Sequence, residues 1–208
     1  MKVAFIAALA LAPALAVGQS AHRPEISTGD RWAFAEHGSV PSATPTRTWI
    51  VTAVTSEGIE GTDNGEPLRL TRELNVLDSA RESASNMQAL RFPLEVGKRW
   101  TYSTDWHLKA KGSRGTADGE AIVVAYETVR VPAGTFEAFK IVRKDRIHGT
   151  SPVGSQYGGA EATATYWYAP DARAIVKLVA HNPYLGTRTV ELVEYGLGGT
   201  GGEAEPNC

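Results

Sequence analysis

The chain almost lacks cysteine: one occurs in 208 residues, and it is the last, Cys208. With no second thiol, no intrachain disulfide can form, so the core must hold by packing alone. A thiol at that position reads as an unstructured end or as a link between two chains. A charge surplus is missing too: 21 Lys and Arg stand against 23 Asp and Glu, a formal net charge of −2. With no basic stripe to meet phosphates, nucleic acid is not an expected partner. The histidines, His22, His37, His107, His148 and His181, never pair at ligand spacing, and no His-Glu-x-x-His occurs. No metal site and no cofactor is therefore expected.

Long apolar runs are also scarce, and the one present opens the chain. Met1-Lys2 supplies a positive charge, Val3 to Ala12 is apolar, Pro13 breaks the run, and Ala14-Leu15-Ala16 sets small residues at a cleavage site. Residues 1–16 read as a signal peptide. The run of roughly ten residues falls short of the ~20 needed to span a bilayer, so no transmembrane segment is expected. No cysteine follows it, so a lipid anchor is not expected. The mature protein is expected to be soluble, periplasmic or secreted. Losing Lys2 with the leader would take the formal charge from −2 to about −3.

What is present is strand-like texture from end to end. Thr46–Thr55, Ala121–Val131, Phe136–Ile147, Thr163–Tyr168, Ala174–Ala180 and Arg188–Tyr195 are rich in β-branched and aromatic residues. In Phe136–Ile147, alternation points Phe139 and Ile141 to a core, and Lys140, Lys144 and Arg146 to water. Val131-Pro132-Ala133-Gly134 and Ala169-Pro170-Asp171 read as tight turns, because proline presets φ for such a turn. Asn64-Gly65 and Asp118-Gly119 read as two-residue hairpin turns. Helical spacing occurs once, at Ala80, Ala84, Met87 and Leu90. The serines and small alanines around it weaken the stripe, so 78–91 reads as a connecting segment with a short helix at most.

Short strands joined by tight turns argue for antiparallel sheets, since parallel pairing needs long crossovers. The expected fold is all-β: a curved antiparallel sheet, half-barrel or open barrel of about ten strands. A short internal echo links Gly29-Asp30-Arg31-Trp32-Ala33-Phe34 to Gly97-Lys98-Arg99-Trp100-Thr101-Tyr102. It suggests two similar β modules, 17–77 and 92–195, around the connecting segment. The Gly-rich tail 196–208 is expected to be disordered.

Three strings carry a family resemblance. They are Phe92-Pro93-Leu94-Glu95-Val96-Gly97-Lys98-Arg99-Trp100-Thr101-Tyr102; Val131-Pro132-Ala133-Gly134-Thr135-Phe136-Glu137-Ala138-Phe139-Lys140-Ile141; and Tyr166-Trp167-Tyr168-Ala169-Pro170, followed by Val176-Lys177 and Glu191-Leu192-Val193-Glu194-Tyr195. In order and spacing they resemble an exported bacterial β-rich family of unknown function, with the pattern Gly-x-x-Trp-x-Tyr, Val-Pro-Ala-Gly-x-Phe, Trp-Tyr-x-Pro. The resemblance covers roughly the second half of the chain. It implies a curved antiparallel sheet or half-barrel in the cell envelope, and no activity.

A search for chemistry finds little. Gly149-Thr150-Ser151-Pro152-Val153-Gly154 has the wrong spacing for a nucleophile elbow, and Pro152 follows the serine. Thr62-Asp63-Asn64-Gly65-Glu66 lacks the alternating ligands of a calcium loop. Glu191 and Glu194, three apart on one strand, should face opposite ways. Asp105, on an aromatic strand, is the most interesting acid, but alternation sets it opposite Trp106. No catalytic residue is assigned. The aromatic surplus on strands is the remaining candidate: Trp32, Trp49, Trp100, Tyr102, Trp106 and Trp167 would line an apolar groove or fill a core. The expected function is an exported, non-enzymatic binding module for a lipid or other apolar or amphipathic ligand in the cell envelope. Alternatives are an envelope scaffold that binds proteins, and a hydrolase whose site is assembled from distant strands.

Overall fold

The computed structural model describes residues 18–39 and 45–198. The signal-peptide reading, the tail beyond Gly198 and Cys208 lie outside the described residues. In chain order the strands are β1 (Ser20–Ala21), β2 (Arg31–Gly38), β3 (Thr46–Val54), β4 (Ile59–Asp63), β5 (Glu66–Leu70), β6 (Val76–Asp78), β7 (Glu82–Ala84), β8 (Leu94–Glu95), β9 (Arg99–Leu108), β10 (Ser113–Val131), β11 (Gly134–Thr150), β12 (Gln156–Ala169), β13 (Ala174–Asn182) and β14 (Gly186–Gly196). Twelve of them form one closed antiparallel barrel in the order β10-β11-β12-β13-β14-β2-β3-β4-β5-β6-β7-β9. β1 and β8 pair separately.

The all-β antiparallel reading holds. The barrel is more closed than the expected half or open barrel, and the segment 78–91 is the reason. It forms no helix. Ser79 Oγ accepts from the N–H groups of Arg81 and Glu82, so local side-chain bonds compete with a helical turn. Glu82 to Ala84 then pairs with β9, opposite Leu108 to Trp106. That short strand joins the two runs of sheet into a ring.

The turns divide. Asn64, at φ 53°, and Gly65, at φ 88°, form the β4–β5 hairpin turn as expected. Asp118-Gly119 does not turn at all; it lies inside β10. There Gly119 is needed for close approach, because a Cβ would strike the Tyr102 ring. The β9–β10 reversal comes earlier, through a single 3₁₀ turn at Lys109–Lys111 ended by Gly112 at φ 62°.

The two echo segments make matching contacts. Gly29 N–H donates to Val51 O, and Gly97 N–H donates to Val123 O. Val51 N–H returns to Asp30 O, and Val123 N–H to Lys98 O. Both glycines sit at positive φ, 89° and 94°. A register shift follows each partner valine, between Val51 and Ala53 and between Val123 and Ala125.

Two packed clusters fill one end of the barrel. In the first, the tip of the long β10–β11 hairpin crosses to a strand it does not pair with. Ala133 N–H donates to Leu192 O at 3.0 Å, and Phe136 lies edge-on to Tyr195 at 5.9 Å. Val129, Val131, Phe136 and Ala138 thereby join Trp32, Phe34, Val51, Leu70 and Leu192. In the second, the stretch between β7 and β9 enters the barrel. Leu90 and Leu94, both fully buried, pack on Trp100, Tyr102, Phe139, Ile141 and Tyr166. The Asn75 side chain holds that stretch by bonding both the N–H and the C=O of Leu90 at 2.9 Å.

Candidate functional site: the barrel cavity

Above these clusters the barrel is hollow. Twelve strands enclose more space than inward side chains fill, whereas about eight leave room only for the side chains themselves. The cavity measures about 670 Å³, within the range of small-molecule sites. Alternation makes its wall. On β11, Phe139, Ile141, Arg143, Asp145 and Ile147 are all buried, while Lys144 and Arg146 are exposed. On β12 and β13, the inward positions beside the cavity include Ala162, Ala164 and Ala180, whose small side chains leave the space open. Leu74, Met87 and Ala89 line it from the chain between β5 and β9. Trp106, Tyr157 and Tyr184, also in the lining, stand in a row. Trp106 and Tyr157 are 6.5 Å apart between ring centroids, and Tyr157 and Tyr184 4.7 Å apart. Tyr184 is 47% exposed, so this row reaches solvent.

The wall also carries charge, most of it already paired. Arg47 and Asp63 form a buried ion pair across β3 and β4, with the guanidinium 5.4 Å above the Trp49 ring. Arg81 bonds Glu36 at 2.9 Å. Arg143 is different. It is 8% exposed, and its Nε donates to Asp145 Oδ2 at 2.9 Å. Among the described residues its buried Nη1 has no partner, nor does Trp49 Nε1. Tyr102 Oη donates to the other oxygen of Asp145 at 2.5 Å. The guanidinium lies 5.2 Å from the Tyr166 ring centroid. Burial, helped by Asp145, pushes the Tyr102 phenol well above its ordinary range, so it stays a neutral donor. Burial works against the Arg143 charge, but the Asp145 carboxylate bonded to its Nε holds it on.

The six aromatics expected at a site separate into groups. Trp32, Trp49 and Trp106 line the cavity. Trp32 is fixed by its Nε1 donating to Ala172 O at 2.8 Å. Trp100 and Tyr102 belong to the second packed cluster, and Trp100 Nε1 donates to Gln88 O. Trp167 lies on the other face of β12 from Tyr166, where Nε1 donates to Glu127 and Lys140 sits 5.3 Å from its ring. Arg143 and Asp145 were missed as site residues. The signal was available, since they continue the inward alternation of Phe139 and Ile141.

The other candidates take structural roles. Asp105 is exposed, and its N–H donates to Ser85 Oγ. Ser151 sits in the β11–β12 loop, where its Oγ accepts from Ser155 N–H. Glu191 and Glu194 do not face opposite ways: a register shift between Leu192 and Glu194 sets them against Ala35 and Ala33 of β2, on one face. They remain apart in function, since Lys177 pairs with one and Arg31 with the other. Among the described residues, no group of three or more His, Cys, Asp or Glu could hold a metal ion. No described helix is long and apolar enough to cross a membrane.

The fold and its cavity define the class: a closed antiparallel β-barrel, packed at one end and hollow at the other. No family model matches the sequence, and no curated protein does. Solved structures do resemble it. A Bacteroides fragilis protein described as exported, with a YmcC-like fold, gives a TM-score of 0.51 at 15% identity, covering 85% of this chain and 99% of its own. A protein from Parabacteroides distasonis described as a lipoprotein gives 0.49 at 12% identity, over 85% of this chain and 99% of its own. The Escherichia coli hypothetical lipoprotein YmcC gives 0.45 at 10% identity, over 79% and 84%. The first of these likenesses establishes a shared fold and says nothing of activity.

Proposed function

We propose that this protein is an exported, non-enzymatic binding module that holds an apolar or amphipathic small molecule, such as a lipid or acyl chain, inside its barrel. One observation carries the reading: a cavity of about 670 Å³ stands open beside a tightly packed core. A chain without disulfides needs its aromatics for packing, yet Trp49 and Trp106 border open space. Export is supported by the leader pattern in residues 1–16 and by the exported protein that shares the fold. Closure weighs in part against a scaffold that binds through sheet edges: the ring has no end strand, while the β10–β11 tip beyond Val123 and before Phe139 pairs only with itself.

The test is direct. The full chain is expressed with its leader, purified from the envelope without detergent, and examined by native mass spectrometry and solvent extraction. A lipid-sized adduct is expected, together with enhanced fluorescence of N-phenyl-1-naphthylamine added to the emptied protein. Ala180→Phe, which puts a ring into the cavity, should lower probe affinity at least tenfold while leaving the circular dichroism unchanged. Protein that carries no adduct and gives no probe signal would sink the reading.

A further inference from the structure

The Arg143 guanidinium has five N–H donors, and one of them, on Nε, is engaged with Asp145. Among the described residues, Nη1 is buried without a partner and Nη2 donates to none. An unmatched donor in a buried site is costly, and a planar guanidinium is suited to gripping a carboxylate with two parallel bonds. The other charges on the wall are mixed. Arg188 and Lys111 line the cavity, and so do Glu36, which Arg81 holds, and Glu82. Arg188 acts more strongly than Glu82 on the Tyr166 phenol, which itself packs against Arg143. Asp145 leaves no carboxylate lone for the ligand to displace, since Tyr102 and Arg143 take its two oxygens.

From this geometry we infer that the ligand is a single-chain amphiphile with a carboxylate head. The carboxylate sits on the free side of Arg143, and the chain lies along the alanine and aromatic wall between Ala164, Met87 and Trp106. The inference rests on the binding function proposed above and adds the head-group chemistry. Arg143 is the specificity-determining residue, and Arg188 offsets the second negative charge beside Asp145.

The experiment titrates emptied full-length protein with palmitic acid, hexadecan-1-ol and hexadecyl phosphate, each displacing N-phenyl-1-naphthylamine. Palmitate should bind at least tenfold more tightly than the alcohol, as loss of a charge-assisted hydrogen bond predicts. Arg143→Met should remove that preference while leaving alcohol affinity within about threefold. If Arg143→Met fails to fold, Arg188→Gln, at a half-buried wall position, should narrow the preference by itself. Equal affinity for acid and alcohol would overturn the head-group inference and leave the binding function standing. A phosphate bound more tightly than the carboxylate would overturn the choice of head. Failure of all three to displace the probe would count against the binding function itself.

Discussion

The two ends of this barrel use one wall in opposite ways. At the filled end, Phe136 and Leu192 in one cluster and Leu90 and Leu94 in the other have almost no solvent exposure. At the hollow end the same strands present Ala162, Ala164 and Ala180 inward, with Arg143 and Trp49 carrying unmatched donors. The alternation of faces is identical, so strand pairing does not decide what is core and what is cavity. Inward side-chain volume decides it, together with the two inserted pieces, the β10–β11 tip and the stretch around Leu90. The boundary between the ends runs past a pair of neighbours. Trp32 and Trp49 are register partners on β2 and β3 that both border the cavity; one indole donates to Ala172 O, while the other has no acceptor among the described residues.

The largest effect comes from comparing Leu90→Ala with Met87→Ala, three residues apart on one inserted stretch. Leu90 is fully buried, and its truncation leaves a void that its neighbours cannot close. It should cost about 2–5 kcal/mol in urea unfolding. Met87 is half-buried at the cavity, so its truncation adds to space already empty. Its cost should be nearer 1 kcal/mol, the transfer contribution alone. Equal losses would mean that the cavity is as well packed as the core, and would erase the difference between the two ends.

Part of this contrast was legible in the sequence and part was not. Period-2 alternation gave the strands and the inward placement of Phe139 and Ile141, because each strand reports its own faces. Ring closure was not legible. It depends on three residues, Glu82 to Ala84, whose alanine and serine neighbours imitate a weak helix, and only their partner β9 makes them a strand. The cavity was not legible either, since an inward Trp fills space or borders it according to what lies across the barrel. Three of the six expected site aromatics line it; Arg143 was overlooked because a charged residue on an inward register looks like an error until its environment is known. The Gly-x-Arg-Trp echo was legible, and its paired backbone bonds at Val51 and Val123 support our proposal that 17–77 and 92–195 are similar β modules.

A second test uses alkaline pH. Tyr102, Tyr126, Tyr166 and Tyr168 have phenol pKa values raised above the ordinary 10.0, in each case chiefly by burial. Tyr126 and Tyr168 belong to the filled end, Tyr126 tilted against Phe139 and Tyr168 edge-on to Phe92. A raised folded pKa gives stability that is complete below the unfolded value of 10.0 and is lost as pH climbs towards the folded value. The thermal midpoint should therefore hold level up to about pH 10 and fall above it. Phenolate absorbance from the buried rings of Tyr102, Tyr166 and Tyr168 should rise together with unfolding, after that of half-buried Tyr126. Early, independent ionisation of Tyr168 would show that the filled end admits water.

The smallest effect tests whether the outer face of the filled end is tied down as its inside is. Trp167, on the outward face of β12, packs against the first core cluster, and its Nε1 donates to Glu127 Oε1 at 2.9 Å. Lys140 approaches the same carboxylate oxygen at 3.1 Å. The Trp167 hydrogen bond first, and Lys140 second, hold the Glu127 carboxyl below its ordinary 4.5. A depressed folded pKa means stability that is present above 4.5 and lost as pH falls through the folded value. Trp167→Phe keeps the ring and deletes the donor, so the Glu127 pKa should rise while Lys140 keeps it short of the ordinary value. Carboxyl NMR titration reads the shift. The stability change at pH 7 should stay under about 1 kcal/mol, because the carboxylate is exposed to solvent that screens the pair. An unchanged Glu127 pKa would mean that the indole does not bind the carboxylate in solution, and that the filled end is held from the inside only.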